Sequence, residues 1–202
     1  MSRSGELSSP EEPWYKWRFQ ASWLASVAEH RNVAGERFFM TNIMCQLQHS
    51  VEADVSCSFA WNWRTNIENW NDPPAQFQLL GPFASGSWGT TQLPGQEPIR
   101  WHIRDVRPDN SFVIDMPLDR AVLTFEWLFE PVEHHRTRIT QRITLSGDNA
   151  AAYAEQVRAG FGATLDEGMR RIAEVLVIAE RSTQAVNRPE EKGGGWRDLP
   201  GS

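Results

Sequence analysis

Two glycines, Gly81 and Gly86, frame the segment GPFASGSWGTT at the spacing of a phosphate-binding loop. That loop needs a lysine and a hydroxyl residue directly after the second glycine, opening a helix. Here Ser87-Trp88 follows instead, and the next periodic signal is a strand. The segment therefore predicts no nucleotide site. Its glycines read as bends or bulges that let a sheet curl. Alternation places Trp88 with Thr90 and Gln92, on a solvent side where an aromatic would meet a partner or the N-terminal segment.

Other side chains able to do chemistry are scattered. His49 shares an alternating face with Leu47 and Val51, as a packed histidine or as a general base. Gln141 stands between Ile139 and Ile143 on an apolar face; a buried amide there needs a backbone partner or a ligand carbonyl or hydroxyl. His102 alternates with Arg100 and Arg104, which predicts a solvated outer face. His134-His135 falls in a turn without a third ligand at metal-site spacing, so no metal is expected. Asp115 and Glu126 are paired carboxylates on neighbouring strands. Arg138 and Arg142 on the next strand make cross-strand ion pairing the simpler reading than acid–base chemistry. No GxSxG elbow or other nucleophile motif occurs.

Composition narrows the classes. The chain has 202 residues, 40% hydrophobic and 23% charged, enough for one domain with a real core plus extensions. A net charge of -6 argues against non-specific nucleic-acid binding. Ten Trp require a large interior or a binding surface. Cys45 and Cys57 match no metal or redox spacing and read as free thiols of a reducing compartment. No apolar run reaches membrane-span length. The polar, acidic start lacks a basic-then-apolar leader, so the expected location is cytoplasmic.

The elements follow from periodicity. Residues 1–43 form a partly disordered N-terminal extension, with a possible short helix around Trp14, Trp17 and Trp23. Residues 44–53 alternate as a strand. Ser56 is a candidate N-cap for one or two short helices whose stripe is Phe59, Trp63 and Ile67, ended by Asn71-Asp72-Pro73-Pro74. A series of strands follows to Gly147, separated by short turns, and so predicts an antiparallel sheet. From about 149 to 181, Tyr153, Val157, Phe161, Leu165, Met169, Ile172 and Leu176 recur at helical spacing. They predict one amphipathic helix capped by Asp148. Gly160, Gly162 and Gly168 within it imply close approach to the sheet, or room for a ligand or a bend. Residues 182–202 read as a disordered tail. The aromatic face of the sheet must be covered by that helix, which predicts an α+β fold with a curved antiparallel sheet wrapped around a long C-terminal helix.

This order resembles the helix-grip fold of the START/Bet v 1-like (SRPBCC) superfamily. HSVEADVSCSFAWNWRTNIENW is similar to the family's opening strand and helix pair. GPFASGSWGTT resembles the glycine-marked approach to the third strand, and LSGDNAAAYAEQVRAGFGATLDEGMRRIAEVL resembles the C-terminal helix. Within the superfamily the chain most resembles the bacterial polyketide cyclase/dehydrase-like proteins, over residues 44–181, the expected ligand-binding domain. The first 43 residues depart from the pattern, and Cys57 stands where the family often has proline.

The resemblance implies an apolar cavity between sheet and helix for a lipid-, polyketide- or sterol-like ligand, without a cofactor. Its expected strand lining is Trp101, Phe112, Ile114, Met116, Phe125, Trp127, Phe129 and Gln141. Tyr153, Val157 and Phe161 would line it from the helix. The inward aromatics either line that cavity or simply fill the core. Two functions follow: binding of a hydrophobic small molecule, or a cyclase/dehydratase-type reaction with His49, Gln141 or Tyr153 in proton transfer or carbonyl polarisation. No compact group of ionisable residues lies on the inward face, which favours binding. A third reading is an interaction module docked through the Trp-rich N-terminus.

Overall fold

The computed structural model describes residues 43–70 and 75–186. The expected N-terminal helix, the Asn71–Pro74 stop and the tail beyond 186 lie outside them. The chain runs β1 (Ile43–Ala53), α1 (Cys57–Thr65), a 3₁₀ turn (Ile67–Trp70), β2 (Gln76–Leu80), β3 (Trp88–Gln92), β4 (Ile99–Arg107), β5 (Ser111–Leu118), β6 (Ala121–Glu133) and β7 (Arg136–Ser146). Then come α2 (Ala150–Val157), a π-helical turn (Arg158–Gly162) and α3 (Leu165–Val186).

All seven strands form one antiparallel sheet in the order β1-β7-β6-β5-β4-β3-β2. Strands β2 to β7 follow one another as a meander because short turns can only join antiparallel neighbours. After β1 the chain leaves the sheet, crosses its inner face as α1 and the 3₁₀ turn, and re-enters at the far edge as β2. That crossing lets the first strand pair with the last.

The strand alternation sends Leu123, Trp127 and Phe129 of β6, and Ile139, Ile143 and Leu145 of β7, to the buried face. Each such side chain contributes about 1.5–3 kcal/mol on leaving water. Gly89 shows how tightly the inner layer closes. A Cβ on it would run into the Trp101 ring. Trp101 Nε1 then donates to Thr91 Oγ1 at 3.1 Å. Gly81 and Gly86 lie outside the strands at positive φ, in the bends between β2 and β3.

The C-terminal helix differs from the sequence expectation in three ways. It is not continuous: the π turn at Arg158–Gly162 separates α2 from α3. This break coincides with Gly160 and Gly162, where helical propensity is lowest. Asp148 is not the cap. Asn149 precedes α2, and its side chain makes no cap bond but donates to Asp119. Finally, α3 continues to Val186, beyond the expected end at 181.

The stripe of α1 also differs. Ala60 and Trp61 are its buried residues, while Phe59, Trp63 and Ile67 are only half-buried. Ser56 does cap α1, its Oγ accepting from Phe59 N at 3.3 Å. Ser56 is itself tied to α3: its N–H and Oγ donate to Glu180 Oε1 at 3.2 and 3.0 Å.

Candidate ligand-binding face

Strand register arranges the inner face in rows. One row runs Val106, Phe112, Trp127, Gln141, His49 across β4, β5, β6, β7 and β1. The next runs Ile103, Ile114, Phe125, Ile143, Leu47. The aromatics are Phe112 and Trp127 of β5 and β6 in the first row and Phe125 of β6 in the second. The first row turns polar toward β1, ending in an amide and an imidazole.

Every residue expected to line the ligand site from the strands lies on this inner face. Trp101, Phe112, Ile114, Met116, Trp127, Phe129 and Gln141 are buried, and Phe125 is half-buried. Tyr153 and Val157 of α2 and Phe161 of the π turn are buried as well. Phe125 and Phe161 meet edge-on at 5.7 Å, so the broken helix does reach the middle of the sheet.

The aromatics also pack on one another. Trp61 of α1 stands edge-on to Phe112 and Phe129 at 6.0 and 5.6 Å. Phe83 meets Phe112 at 5.1 Å, and Trp70 meets Phe77, Phe83 and Trp101 at 5.8, 6.1 and 5.7 Å. Such pairs add about 0.5–1.5 kcal/mol each beyond their burial. The end of the inner face under α1 is thus filled by protein rings.

Arg64 is the residue that sequence reasoning passed over. Its guanidinium lies over the rings of Trp70 and Trp127, at 4.4 and 4.3 Å from their centroids. Trp70 is held there by its own indole N–H, which donates to the Arg64 carbonyl at 2.7 Å. Burial pushes the guanidinium down to about 9, which leaves it protonated at neutral pH. Its Nε is buried and has no hydrogen-bond partner. A usable signal was in the sequence: counting from Ala60 and Trp61, position 64 falls on the buried face of α1. The chosen stripe of Phe59, Trp63 and Ile67 turned Arg64 outward.

His49 is half-buried on β1, across from Gln141. The Glu167 backbone N–H, then Arg170 and last His49, hold the Asp166 carboxyl at the start of α3 below its ordinary value. Cys45 and Cys57 are free thiols. Burial first, then the Asp109 carboxylate, hold the Cys57 thiol above its ordinary value.

The outer face carries the rest of the ionisable residues, and Asp115 is a correction. It was expected to pair with Arg138 and Arg142, yet it is 2% exposed and accepts from Thr124 Oγ1 at 2.7 Å. Arg104 lies 3.4 Å and His102 4.0 Å from its carboxylate. The reason is register: His102, not an arginine of β7, stands directly opposite Asp115. Arg142 does pair with Glu126, while Arg138 pairs with Glu52 at 2.9 Å. His102 is on the outer side but not simply solvated; Trp88 stacks on it at 4.9 Å, with Arg100 over the same indole. His135 contacts Glu180 at 3.0 Å. Among the described residues no cluster of three or more His, Cys, Asp or Glu is placed to hold a metal ion. Nor is any described helix long and apolar enough to cross a membrane.

A single curved sheet, gripped by a C-terminal helix and crossed by a short helical pair, is the helix-grip α+β fold of START/Bet v 1-like proteins. Solved structures agree. The ZhuI aromatase/cyclase from Streptomyces sp. R1128 superposes with a TM-score of 0.54 at 14% identity, covering 72% of this chain and 99% of that one. A norcoclaurine synthase point mutant from Thalictrum flavum, in complex with a transition-state analogue, gives 0.52 at 12% identity, over 67% and 96%. Protein NE0264 from Nitrosomonas europaea gives 0.52 at 16% identity, over 68% and 96%. At such identities the likeness concerns the fold. No protein-family model matches the chain, and no curated protein matches it.

Proposed function

We propose that the protein is a cytoplasmic binding protein for an apolar or aromatic small molecule of lipid-, polyketide- or sterol-like character. The ligand sits between the inner face of the sheet and the α2–π–α3 segment, against Trp127, Phe125, Gln141, Tyr153 and Phe161. The observation that carries this reading is Gln141. Gln141 is 6% exposed, set between Ile139 and Ile143 on the inner face and across from His49. An amide at that place can meet a carbonyl or hydroxyl of a ligand, which supports an apolar molecule carrying a polar group. The free thiols support a reducing compartment.

One observation favours a catalytic variant of the same reading. His49 stands directly across from Gln141, so a carbonyl held by the amide would lie near an imidazole. In a cyclase/dehydratase the imidazole would move a proton while the pocket folds a flexible chain. The aromatase/cyclase and the norcoclaurine synthase among the similar structures support that variant by fold only.

Native mass spectrometry of the purified protein, with extraction of any co-purified ligand, tests the binding reading. The expected result is a bound apolar molecule released on denaturation, with weaker retention in Gln141→Leu. No ligand retained from the host, and none taken up from a lipid and polyketide panel, would sink it. Turnover lost in His49→Ala with binding retained would move the assignment to the enzyme.

A further inference from the structure

We infer that the ligand carries a carboxylate and that Arg64 is its anchor. The inference rests on the proposed inner-face site and names the chemical class it takes. Arginines on the outer face meet carboxylates: Arg104 has Asp115, Arg136 and Arg138 have Glu52, and Arg142 has Glu126. Arg64 has no ion pair or side-chain hydrogen bond with a described residue. What it has is the faces of Trp70 and Trp127. Two rings fix the plane of the guanidinium and leave its edge as the only direction for hydrogen bonds. The Nε side of that edge is sealed. The two Nη nitrogens remain, a planar pair of donors matched to the two oxygens of a carboxylate.

The position is built rather than incidental. Trp70 is locked by its bond to the Arg64 carbonyl, and Asn69 Nδ2 donates to Trp63 O at 2.8 Å, so the end of α1 and the 3₁₀ turn form one unit. Trp127 is the strand neighbour of Gln141, which puts the cation and the amide over adjacent columns of one row. A planar aromatic acid spanning them would give the cation its counter-charge and the amide its partner. A half-buried cation without a counter-ion costs the free protein stability, and an anionic ligand lowers that cost on binding.

The test uses a matched pair of probes, 2-naphthoate and 2-naphthamide, with binding to the full chain read by tryptophan fluorescence at neutral pH. The wild type is expected to bind the acid about tenfold or more tightly than the amide. Arg64→Met should bring the acid down to the amide's affinity and leave the amide's unchanged. Arg64→Lys should keep part of the preference, since the charge stays but the fork is lost. Thermal unfolding of each variant confirms that it is folded. Equal binding of acid and amide by the wild type, or a preference that survives in Arg64→Met, overturns the inference while leaving the apolar-ligand reading in place. Binding of neither probe, nor of any neutral apolar compound, overturns both.

Discussion

Arg64 is a cation held over the rings of Trp70 and Trp127. Its charged form is penalised by burial, so its proton is held less tightly in the folded chain than in the unfolded one. Below about pH 9 both states carry the proton, and the whole penalty is present. As pH rises through that value the native state releases its proton first. The unfolded state then binds more protons, and stability is gained. The expected outcome is that the stability of the wild type rises relative to Arg64→Met between about pH 8 and pH 10.5. Urea unfolding of both proteins across that range measures it. A constant difference would mean that solvent reaches the guanidinium and that the aromatic clamp does not isolate it. Asp115 is the contrasting case, a buried carboxylate whose needs are met within the chain by Thr124, Arg104 and His102.

Among the elements, α3 and α1 depend on each other through one carboxylate. Glu180 is buried, accepts twice from Ser56 and contacts His135. It thereby joins the start of α1, the β6–β7 turn and the second half of α3. Glu180→Ala should cost about 1–3 kcal/mol, because it leaves the Ser56 N–H and hydroxyl unpaired beneath the helix. Asp166→Ala is the control. Its exposed pair with Arg170 spans one helical turn and is screened by solvent, so its loss should leave the melting temperature almost unchanged. Equal melting temperatures for the two variants would show that the tie does not support the helix. The π turn has a different role. It lays Phe161 against Phe125.

At the scale of the whole molecule, a sheet gripped by one helical segment carries an inner face with aromatic side chains and a polar end at Gln141 and His49. If a ligand completes that interior, it binds the folded state and not the unfolded chain. A ligand present at about a hundred times its dissociation constant should then add about 2.7 kcal/mol. For a domain of this size that is about 5–10 °C in melting temperature. Differential scanning fluorimetry against the extracted ligand measures it; a melting temperature that stays put at saturation contradicts a site inside the fold.

The alternation of β4 to β7 by itself determined which residues face inward, because a strand has only two sides and a pattern of period two selects one of them. The same rule placed Trp88 with Thr90 and Gln92 on the outer side. The cap at Ser56 was equally legible, since it depends on residues three apart in the chain. What depends on residues far apart was not. The partner of Asp115 is set by the register between β4 and β5, and the phase of α1 by which of its faces meets β6. The helix of 149–181 carries one continuous apolar stripe in sequence, yet it breaks where Gly160 and Gly162 weaken it. Only the tertiary structure brought Arg64, Trp70 and Trp127 together. A cation on a short helix looks solvated until the sheet beneath it is in place, and burial is a property of the assembled layers.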